Sequence, residues 1–305
     1  MKYLALDIGG TKIKYGIVDE LGNVENSNST DTEAYKGADY IIQKIKKIIE
    51  NLIKEYDNIK GIGISTAGQV NSEEGEIIFA TETFPGWTGV KLRRIIEETF
   101  NYPCYVNNDV NCAALGEMWV GAAKNQRNFL CLTLGTGIGG AIVINGNLFT
   151  GNNYIAGEFG HITLYENGEK CSCGHRGCYE QYASTLALVR RSEKEINYKE
   201  KLNGKIIFDR ANENVEPYKT VVDNWCEDVS LGLKNLIHIF NPPLIVIGGG
   251  VCEQGDNLIY KIENKLKTMV MPSFLKDLKI STAKCTNFAG MLGAVYGLKE
   301  KLNED

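Results

Sequence analysis

Apolar and polar positions along the chain follow two patterns, one typical of strands and one typical of helices. Short runs rich in β-branched residues predict buried strands. These runs are YLALDI (3–8), IKYGIVD (13–19), GIGIS (61–65), CYVN (104–107), FLCLTL (129–134), GGAIVI (139–144) and PLIVIG (243–248). Residues 38–56 instead place isoleucine and leucine at helical spacing between lysines, which predicts an amphipathic helix.

Further helices are predicted between the strands. They cover 90–100, 108–123, 179–196, 221–240 and 291–302. Because strands and helices alternate, we expect layers of an α/β fold.

One pattern occurs twice in the chain. Residues 4–24 and 132–149 each read as a strand, a turn of glycine and threonine, a second strand and a polar turn. The copies lie roughly 130 residues apart, too far for a solenoid repeat. Two unrelated hairpins are the alternative, but the shared plan favours two copies of a domain-sized unit.

Composition and charge exclude several classes of protein. A chain of 305 residues with a net charge of -5 has no general basic field for nucleic acid or an anionic membrane. No apolar run approaches the ~20 residues that span a bilayer. The start, MKYLALDIGG, lacks the long apolar stretch of a signal peptide, so we expect a cytoplasmic protein.

The nine cysteines are not expected to form disulfides in that compartment. Six of them are scattered among apolar residues, and we expect them to be small buried side chains. They are Cys104, Cys112, Cys131, Cys226, Cys252 and Cys285.

The two glycine turns are candidate phosphate sites. Gly9 to Lys12 and Gly135 to Gly137 can each present backbone N–H groups to an anion, with Thr11 and Thr136 as hydroxyl donors. Asp7 ends the first strand, where a carboxylate would repel phosphate unless a cation lay between them. It is therefore a candidate Mg²⁺ partner, with capping of the turn as the alternative.

Two familiar nucleotide motifs do not fit. GTGIGG (135–140) matches G-x-G-x-x-G, but a strand-like segment follows it where a Rossmann turn needs a helix. The chain has no G-x-x-x-x-G-K-[ST] motif either. A third turn, Gly248 to Gly250, fits either close approach to a nucleotide base or ribose or a tight strand-to-helix turn.

Asp109 is a candidate general base. Phosphoryl transfer needs positioning, charge neutralisation and one carboxylate to accept the hydroxyl proton. In VNNDVN, Asp109 stands at a predicted strand-to-helix turn, and Asn108 could hold a neighbouring hydroxyl. An ordinary helix N-cap is the alternative, and one geometry can serve both roles.

The cysteine-rich stretch 171–178 is a candidate metal loop. His161, Cys171, Cys173 and Cys178 give the spacing H-x9-C-x-C-x4-C, a donor set that suits a closed tetrahedral zinc site without reactive water. A chance cluster of thiols is the alternative, and His175 ranks below His161 as a ligand.

Two glutamates stand next to the predicted zinc ligands. Glu158 and Glu180 would be held by the metal loop, where they could bind the hydroxyls of a sugar. Plain surface charge is the alternative for each.

Taken together, these motifs resemble the ROK (repressor, open reading frame, kinase) family over almost the whole chain. The similar segments are ALDIGGTKIKYGIVD, NNDVNCAALGE, LTLGTGIGG, AGEFGHITL and CSCGHRGCYE. The resemblance implies an α/β, two-lobed, actin-like (RNase H-like) fold with a structural zinc loop and with ATP and sugar between the lobes. It also implies transfer of the γ-phosphate of Mg-ATP to a hexose hydroxyl, usually at C6.

The resemblance further implies the site residues and the lobes. Asp109 would be the general base. The implied sugar ligands are Gly68, Asn108, Asp109, Glu158, His161 and Glu180. The implied ATP ligands are Asp7, Gly9, Gly10, Thr11, Lys12, Gly135, Thr136, Gly137, Gly248, Gly249 and Gly250. The implied zinc ligands are His161, Cys171, Cys173 and Cys178. The expected lobes are 1–108 plus 293–305 and 109–292, with the zinc loop at 161–180.

Other functions remain as alternatives. Repressors of the family carry a winged helix ahead of the D-I-G-G-T motif, which starts here at Asp7, so we expect a kinase before a sugar-sensing regulator. An actin- or Hsp70-like ATPase would not need the zinc loop. The expected partners are sugar and ATP, without nucleic acid or membrane. The sequence does not reveal the oligomeric state, and a homodimer is one possibility, since kinases of the family are often dimers.

The sugar itself is not decided by the motifs. Gln69 stands where many glucokinases of the family have proline, and TETFPGWTG (81–89) departs from their usual loop. Glucose is the first expectation and N-acetylmannosamine the second, ahead of fructose or a β-glucoside.

Overall fold

The computed structural model of the chain describes residues 1–196 and 201–304. The strands are β1 (Lys2–Ile8), β2 (Lys12–Asp19), β3 (Val24–Asp31), β4 (Ile59–Thr66), β5 (Gln69–Asn71), β6 (Glu76–Phe79), β7 (Cys104–Asn108), β8 (Phe129–Leu134), β9 (Ile138–Ile144), β10 (Asn147–Leu148), β11 (Leu244–Gly248) and β12 (Lys279–Thr282). The helices are α1 (Ala38–Glu55), α2 (Leu92–Phe100), α3 (Asp109–Trp119), α4 (Glu180–Ala183), α5 (Thr185–Glu195), α6 (Gly204–Asn212), α7 (Tyr218–Phe240), α8 (Gly255–Met269), α9 (Pro272–Leu275) and α10 (Ala289–Glu304).

Two five-stranded sheets are built to one plan. Their strand orders are β3-β2-β1-β4-β7 and β10-β9-β8-β11-β12. In the first, β1 pairs antiparallel with β2 and parallel with β4, and in the second β8 pairs antiparallel with β9 and parallel with β11. The predicted repetition of a sheet-forming unit is therefore confirmed by the topology.

The chain divides into two compact units. Unit one comprises 1–127, 147–156 and 287–305, and unit two comprises 128–146 and 157–286. In unit one, α1 buries Ile41, Ile45 and Ile49 completely, in the same core as the apolar residues of β1 and β4. The apolar stripe predicted for this helix is thus the face that forms the core.

Helix α3 belongs to unit one because it packs closely on α10. A methyl group on Gly116 of α3 would lie 2.6 Å from the carbonyl oxygen of Ala289, and one on Gly293 would overlap the backbone of Cys112. The compact units differ in this from the lobe bounds expected from the sequence, 1–108 plus 293–305 and 109–292, which stay a prediction.

Three local expectations need correction. The helix predicted over 179–196 is two helices, because Ser184 adopts an extended conformation between α4 and α5. The helix predicted to reach 123 ends at Trp119. Cys252 is partly exposed, because it lies in the short 3-10 helix Gly250–Gln254, whereas the other five scattered cysteines are buried as expected.

Strand β3 was not predicted, because its eight residues, VENSNSTD, are mostly polar and five of them are exposed. Antiparallel pairing with β2 holds it at the sheet edge. Within residues 1–196 and 201–304, no helix has the length and apolarity to cross a membrane.

Candidate functional site

Asp7 lies one residue before the end of β1, with its carboxylate largely enclosed. The Ser65 hydroxyl, from the paired position of β4, donates to Asp7 Oδ1 at 2.8 Å, and Lys14 Nζ lies 3.8 Å from Oδ2. Burial raises the pKa of Asp7, while the Ser65 hydrogen bond and the Lys14 charge oppose that rise. A methyl group on Gly290 would lie 2.7 Å from Asp7 Oδ1, so a larger residue there would displace the carboxylate.

The first glycine turn follows β1, which ends at Ile8. The Gly9 N–H donates to the Lys12 carbonyl at 3.0 Å, and the Thr32 N–H donates to the Thr11 carbonyl at 2.8 Å. The Thr32 hydroxyl adds a hydrogen bond to the Gly9 carbonyl at 2.6 Å. Gly10, Thr11 and Lys12 are exposed, so the tip of the turn is open to a ligand.

Asn108 caps α3, as the simpler interpretation of this turn predicted. Its side-chain oxygen accepts from the N–H groups of Val110 at 2.9 Å and Asn111 at 3.2 Å. Its Nδ2 donates to the Gly68 carbonyl at 2.8 Å, which ties the loop after β4 to the end of β7. Gly68 has φ +105, a conformation that L side chains rarely adopt.

Asp109 is the first residue of α3 and combines burial with a nearby like charge. Burial, and then the charge of Asp7, raise its pKa to about 6, against the hydrogen bonds from the Val110 N–H and the Asn108 side chain. The Val110 N–H lies 2.9 Å from Asp109 Oδ1. A carboxyl group with such a pKa can accept a proton near neutral pH, as a general base must.

Sequence reasoning missed the support beneath this turn. Asn107 is buried, and its side-chain oxygen accepts from the Asn108 N–H at 2.8 Å and from Asn111 Nδ2 at 3.2 Å. Its Nδ2 donates to the Tyr105 hydroxyl at 2.6 Å. The alternation of side chains in β7 was the available signal, because it turns one of two adjacent asparagines inward.

The loop 81–89 is anchored by two buried side chains, Phe84 and Trp87, while its other residues are exposed. Trp87 is completely buried, and its Nε1 donates to the Thr66 hydroxyl at 3.2 Å, two residues before Gly68. Phe84 packs against Trp87 with ring centroids 6.1 Å apart. The loop that departs from the glucokinase pattern is therefore attached to its unit by two buried aromatic side chains.

In unit two, the second glycine turn is held on both sides. The Gly135 N–H donates to the Gly137 carbonyl at 3.0 Å. At the start of α5, the Thr185 N–H donates to the Gly135 carbonyl at 2.9 Å and the Thr185 hydroxyl donates to the Leu134 carbonyl at 3.1 Å. Thr136, at the tip of the turn, is exposed.

The third turn lies against the second. Gly249 has φ +92, and a methyl group there would overlap the Leu134 carbonyl. The turn leads from β11 into the 3-10 helix Gly250–Gln254, so the strand-to-helix interpretation describes its geometry. A nucleotide-binding role for Gly248, Gly249 and Gly250 stays a prediction that this proximity favours.

The four residues predicted as zinc ligands come together in unit two. Their donor atoms all lie within 4.8 Å of one another, with His161 Nδ1 3.7 Å from Cys171 Sγ and Cys173 Sγ 3.6 Å from Cys178 Sγ. His175 is not part of this group, and its carbonyl instead accepts from the Cys171 N–H at 2.9 Å.

The chemistry of this donor set fits a metal cation. Burial raises the pKa of Cys171, but hydrogen bonds, first from the Cys173 backbone N–H, outweigh it and lower the pKa to about 7. Burial and the neighbouring sulfurs raise the pKa of Cys178 to about 12. Three crowded thiols cannot all ionise without a compensating positive charge, which a divalent cation would supply.

Two glycines let the cysteine loop fold back on itself. Gly174 has φ +90 and Gly177 has φ +75. A methyl group on Gly177 would overlap the Tyr165 carbonyl, whereas one on Gly174 would meet no atom within 4 Å. The Gly177 carbonyl accepts from the Leu164 N–H at 2.7 Å, which fixes the end of the loop.

The two glutamates occupy different settings. Glu180 begins α4, with Oε2 accepting from the Ile138 N–H at 3.2 Å and Oε1 lying 3.9 Å from Cys171 Sγ. Glu158 is exposed and precedes the 3-10 helix Phe159–His161. Its carbonyl accepts from the His161 N–H at 3.1 Å, so it is held beside a metal-ligand candidate.

Comparison with known proteins places the chain in a family. The model of the ROK family matches residues 3–301. An uncharacterized protein of Clostridium perfringens is 40% identical over 303 residues, which are 99% of each chain. A glucokinase of Thermotoga maritima is 32% identical over 314 residues, covering 99% of this chain and 98% of the relative.

A solved structure supports the same assignment. It is a ROK family glucokinase of Streptomyces griseus in complex with glucose and AMPPNP. Its TM-score is 0.86 at 29% identity, over 98% of this chain and 100% of that one. The predicted α/β fold and the resemblance are confirmed, and this chain is a member of the ROK family.

Proposed function

We propose that this chain is an ATP-dependent hexose kinase that transfers the γ-phosphate to the C6 hydroxyl of the sugar, with glucose as the first candidate. The observation that carries the proposal is the place of Asp109, a partly buried carboxyl group in the turn capped by Asn108, where the pKa of the carboxyl is raised to about 6. A raised pKa at this position is expected of a general base, whereas a non-catalytic sugar-binding regulator does not require it.

In the proposed reaction, Asp109 accepts the proton of the sugar hydroxyl as that oxygen bonds to the γ-phosphorus. The bond between the γ-phosphorus and the bridging oxygen breaks, and ADP leaves with the electron pair. The Asn108 side chain is fixed by its bonds to α3 and Gly68 and is proposed to orient the sugar. The other proposed sugar ligands are Glu158, His161 and Glu180.

Mg-ATP would bind as the second substrate. The exposed residues at the tips of the two turns, Gly10 to Lys12 and Thr136, would offer backbone N–H groups to phosphate oxygens. Asp7, whose carboxylate Ser65 and Lys14 stabilise in its charged form, is the proposed partner of the Mg²⁺ that enters with ATP. The turn at Gly248–Gly250 would approach the adenosine.

A zinc ion is the proposed occupant of the cysteine cluster. His161, Cys171, Cys173 and Cys178 would fill all four positions of a tetrahedral site, so the ion would supply structural rigidity. Its effect on the sugar would pass through the side chains that the loop carries, Glu180 and His161.

The test is release of ADP from Mg-ATP with a panel of glucose, N-acetylmannosamine, N-acetylglucosamine, mannose, fructose and cellobiose. We expect one sugar to give a kcat/KM well above the rest and to yield its 6-phosphate. N-acetylmannosamine is the alternative substrate, because its kinases in the family share the proposed catalytic residues. Turnover with none of these sugars by protein that binds both zinc and ATP would favour the regulator.

A further inference from the structure

The segment Cys178–Thr185, here called the brace, joins the cysteine cluster to the second glycine turn. It starts at a predicted metal ligand and ends at the first residue of α5. Cys178 and Glu180 within it are already candidates for zinc and sugar, but the connection that the segment makes to the second glycine turn, through Thr185, has no role assigned so far.

At one end, the brace holds the glycine turn from two sides. Thr185 donates through its N–H to the Gly135 carbonyl and through its hydroxyl to the Leu134 carbonyl, at 2.9 and 3.1 Å. Glu180 accepts from the Ile138 N–H at 3.2 Å, and a methyl group on Gly137 would overlap its carboxylate. A shift of the brace would therefore move the turn.

At the other end, the brace contacts the sulfur atoms. Cys178 is itself a member of the cluster. Glu180 Oε1 and Gln181 Nε2 lie 3.9 and 3.7 Å from Cys171 Sγ. The position of the sulfurs, which a bound cation would fix, is thus coupled to the brace through direct contacts.

The middle of the brace is pinned to the core, so that it can transmit such a constraint. Tyr179 is completely buried, and its hydroxyl donates to the Val229 carbonyl at 2.7 Å. The Ser184 carbonyl accepts from Trp225 Nε1 at 3.0 Å, and Ser184 caps α5 through a 3.0 Å bond from the Ala187 N–H. Val229 and Trp225 belong to α7, and Ala187 belongs to α5, so Tyr179 and Ser184 attach the brace to these two helices.

We propose that Thr185 is a positioning residue through which the metal-held cysteine loop sets the Gly135–Gly137 turn, so that nucleotide binding depends on the metal. This inference rests on the proposed function, in which that turn binds the phosphates of ATP. It adds a second role for the metal loop, which acts on the nucleotide as well as on the sugar.

The first test replaces the hydroxyl that the brace uses. In zinc-loaded Thr185→Val, one hydrogen bond to the Leu134 carbonyl is lost, while the bond from the backbone N–H can remain. We expect Mg-ADP to bind about fivefold more weakly by calorimetry, the factor that corresponds to one hydrogen bond. The KM for ATP should rise by a similar factor, with the KM for the sugar and the zinc content unchanged.

Two further variants serve as controls. Thr185→Ser keeps the hydroxyl and should bind Mg-ADP within about twofold of the wild type. Thr268→Val removes an exposed threonine hydroxyl that also donates to a carbonyl, that of Lys265 in α8, and should leave Mg-ADP binding unchanged. Wild-type Mg-ADP affinity in folded Thr185→Val, or equal losses for ATP and sugar, would overturn the proposal.

The second test removes the metal with a chelator from the wild-type protein. If circular dichroism shows the fold retained, weaker Mg-ADP binding supports the coupling, and unchanged binding refutes it. If the protein unfolds, the Thr185 variants decide. A zinc-loaded wild type that binds no Mg-ADP and phosphorylates no sugar would instead refute the proposed function, and the coupling with it.

Discussion

At Asp109, opposing interactions act on the pKa of one carboxyl group. Burial and the charge of Asp7 both disfavour its ionised form, while the cap of α3 supplies hydrogen bonds that favour it. The balance leaves the carboxyl with a pKa of about 6 instead of 3.8. Such a group is mostly charged at neutral pH yet basic enough to take a proton.

The pH dependence of kcat/KM should follow this group. Because Asp109 must be ionised to accept the proton, kcat/KM should fall as pH drops through about 6. The measurement is ADP release at saturating Mg-ATP and low sugar over pH 5 to 8. A profile that stays flat to pH 5 would contradict the assignment of the base.

Stability should depend on pH in the opposite sense. The unfolded chain releases this proton near pH 3.8, whereas the folded protein keeps it to about 6. The Asp109 carboxyl therefore favours the folded state most at low pH and loses that contribution between these two values. Relative to Asp109→Asn, the wild type should lose stability across this window and stay level above it, as measured by urea unfolding.

Replacement of the base tests its chemical role. Asp109→Asn keeps the size of the side chain and an acceptor for the Val110 N–H, so the fold should be retained. We expect kcat to fall by about 10²–10⁴, the usual contribution of a general base. Binding of Mg-ADP and sugar, measured by calorimetry, should change little. Near-normal turnover would remove Asp109 from the mechanism.

At the scale of elements, the cysteine loop depends on a backbone path that only glycine allows. Gly174 and Gly177 both have positive φ, but only Gly177 also lies against other backbone, the carbonyl of Tyr165. The two positions therefore form a matched pair that separates conformational strain from steric overlap.

This pair gives a prediction for the metal loop. Gly174→Ala should cost about 1–2 kcal/mol of stability, from strain alone. Gly177→Ala should cost clearly more and should lower the zinc content, because the loop must shift to relieve the overlap. Zinc analysis together with thermal unfolding distinguishes the two. Equal behaviour of both variants would mean that the Tyr165 contact does not hold the loop.

At the scale of the whole molecule, the metal loop should add to the stability of the fold. A cation that binds the folded protein preferentially stabilises it by an amount set by its concentration and affinity. In Cys171→Ser, we expect zinc content, melting temperature and sugar affinity to fall together. The control variant Cys252→Ser changes a cysteine outside the cluster, so the zinc content of the protein should stay at the wild-type level. Purified wild-type protein without zinc would contradict the proposed metal.

The two-sheet architecture also belongs to this scale. Each sheet places a glycine turn after its central strand, at Gly9–Lys12 after β1 and at Gly135–Gly137 after β8. The likeness of the two sheets comes from a repeated local pattern, whereas their supports differ. Thr32 holds the first turn and Thr185 holds the second.

Features that depend on near neighbours in the chain could be predicted from the residue pattern. Buried strands and the amphipathic helix α1 follow from periodicity, because the side chains on one face share an environment. The cap at Asn108 needs only the next three residues. The four candidate metal ligands were predicted from spacing, and their donor atoms do come together, since the residues lie within a short stretch of chain.

Features that depend on partners distant in the chain could be seen only in the tertiary structure. Polar β3 is a strand because β2 offers it hydrogen bonds, and Ser184 breaks a helix where its carbonyl meets Trp225. Ser65 beside Asp7 and Thr185 beside the second turn come from separate parts of the chain. Local propensity carries no information about such pairs, because the free energy that fixes them arises only when the strands and helices have packed.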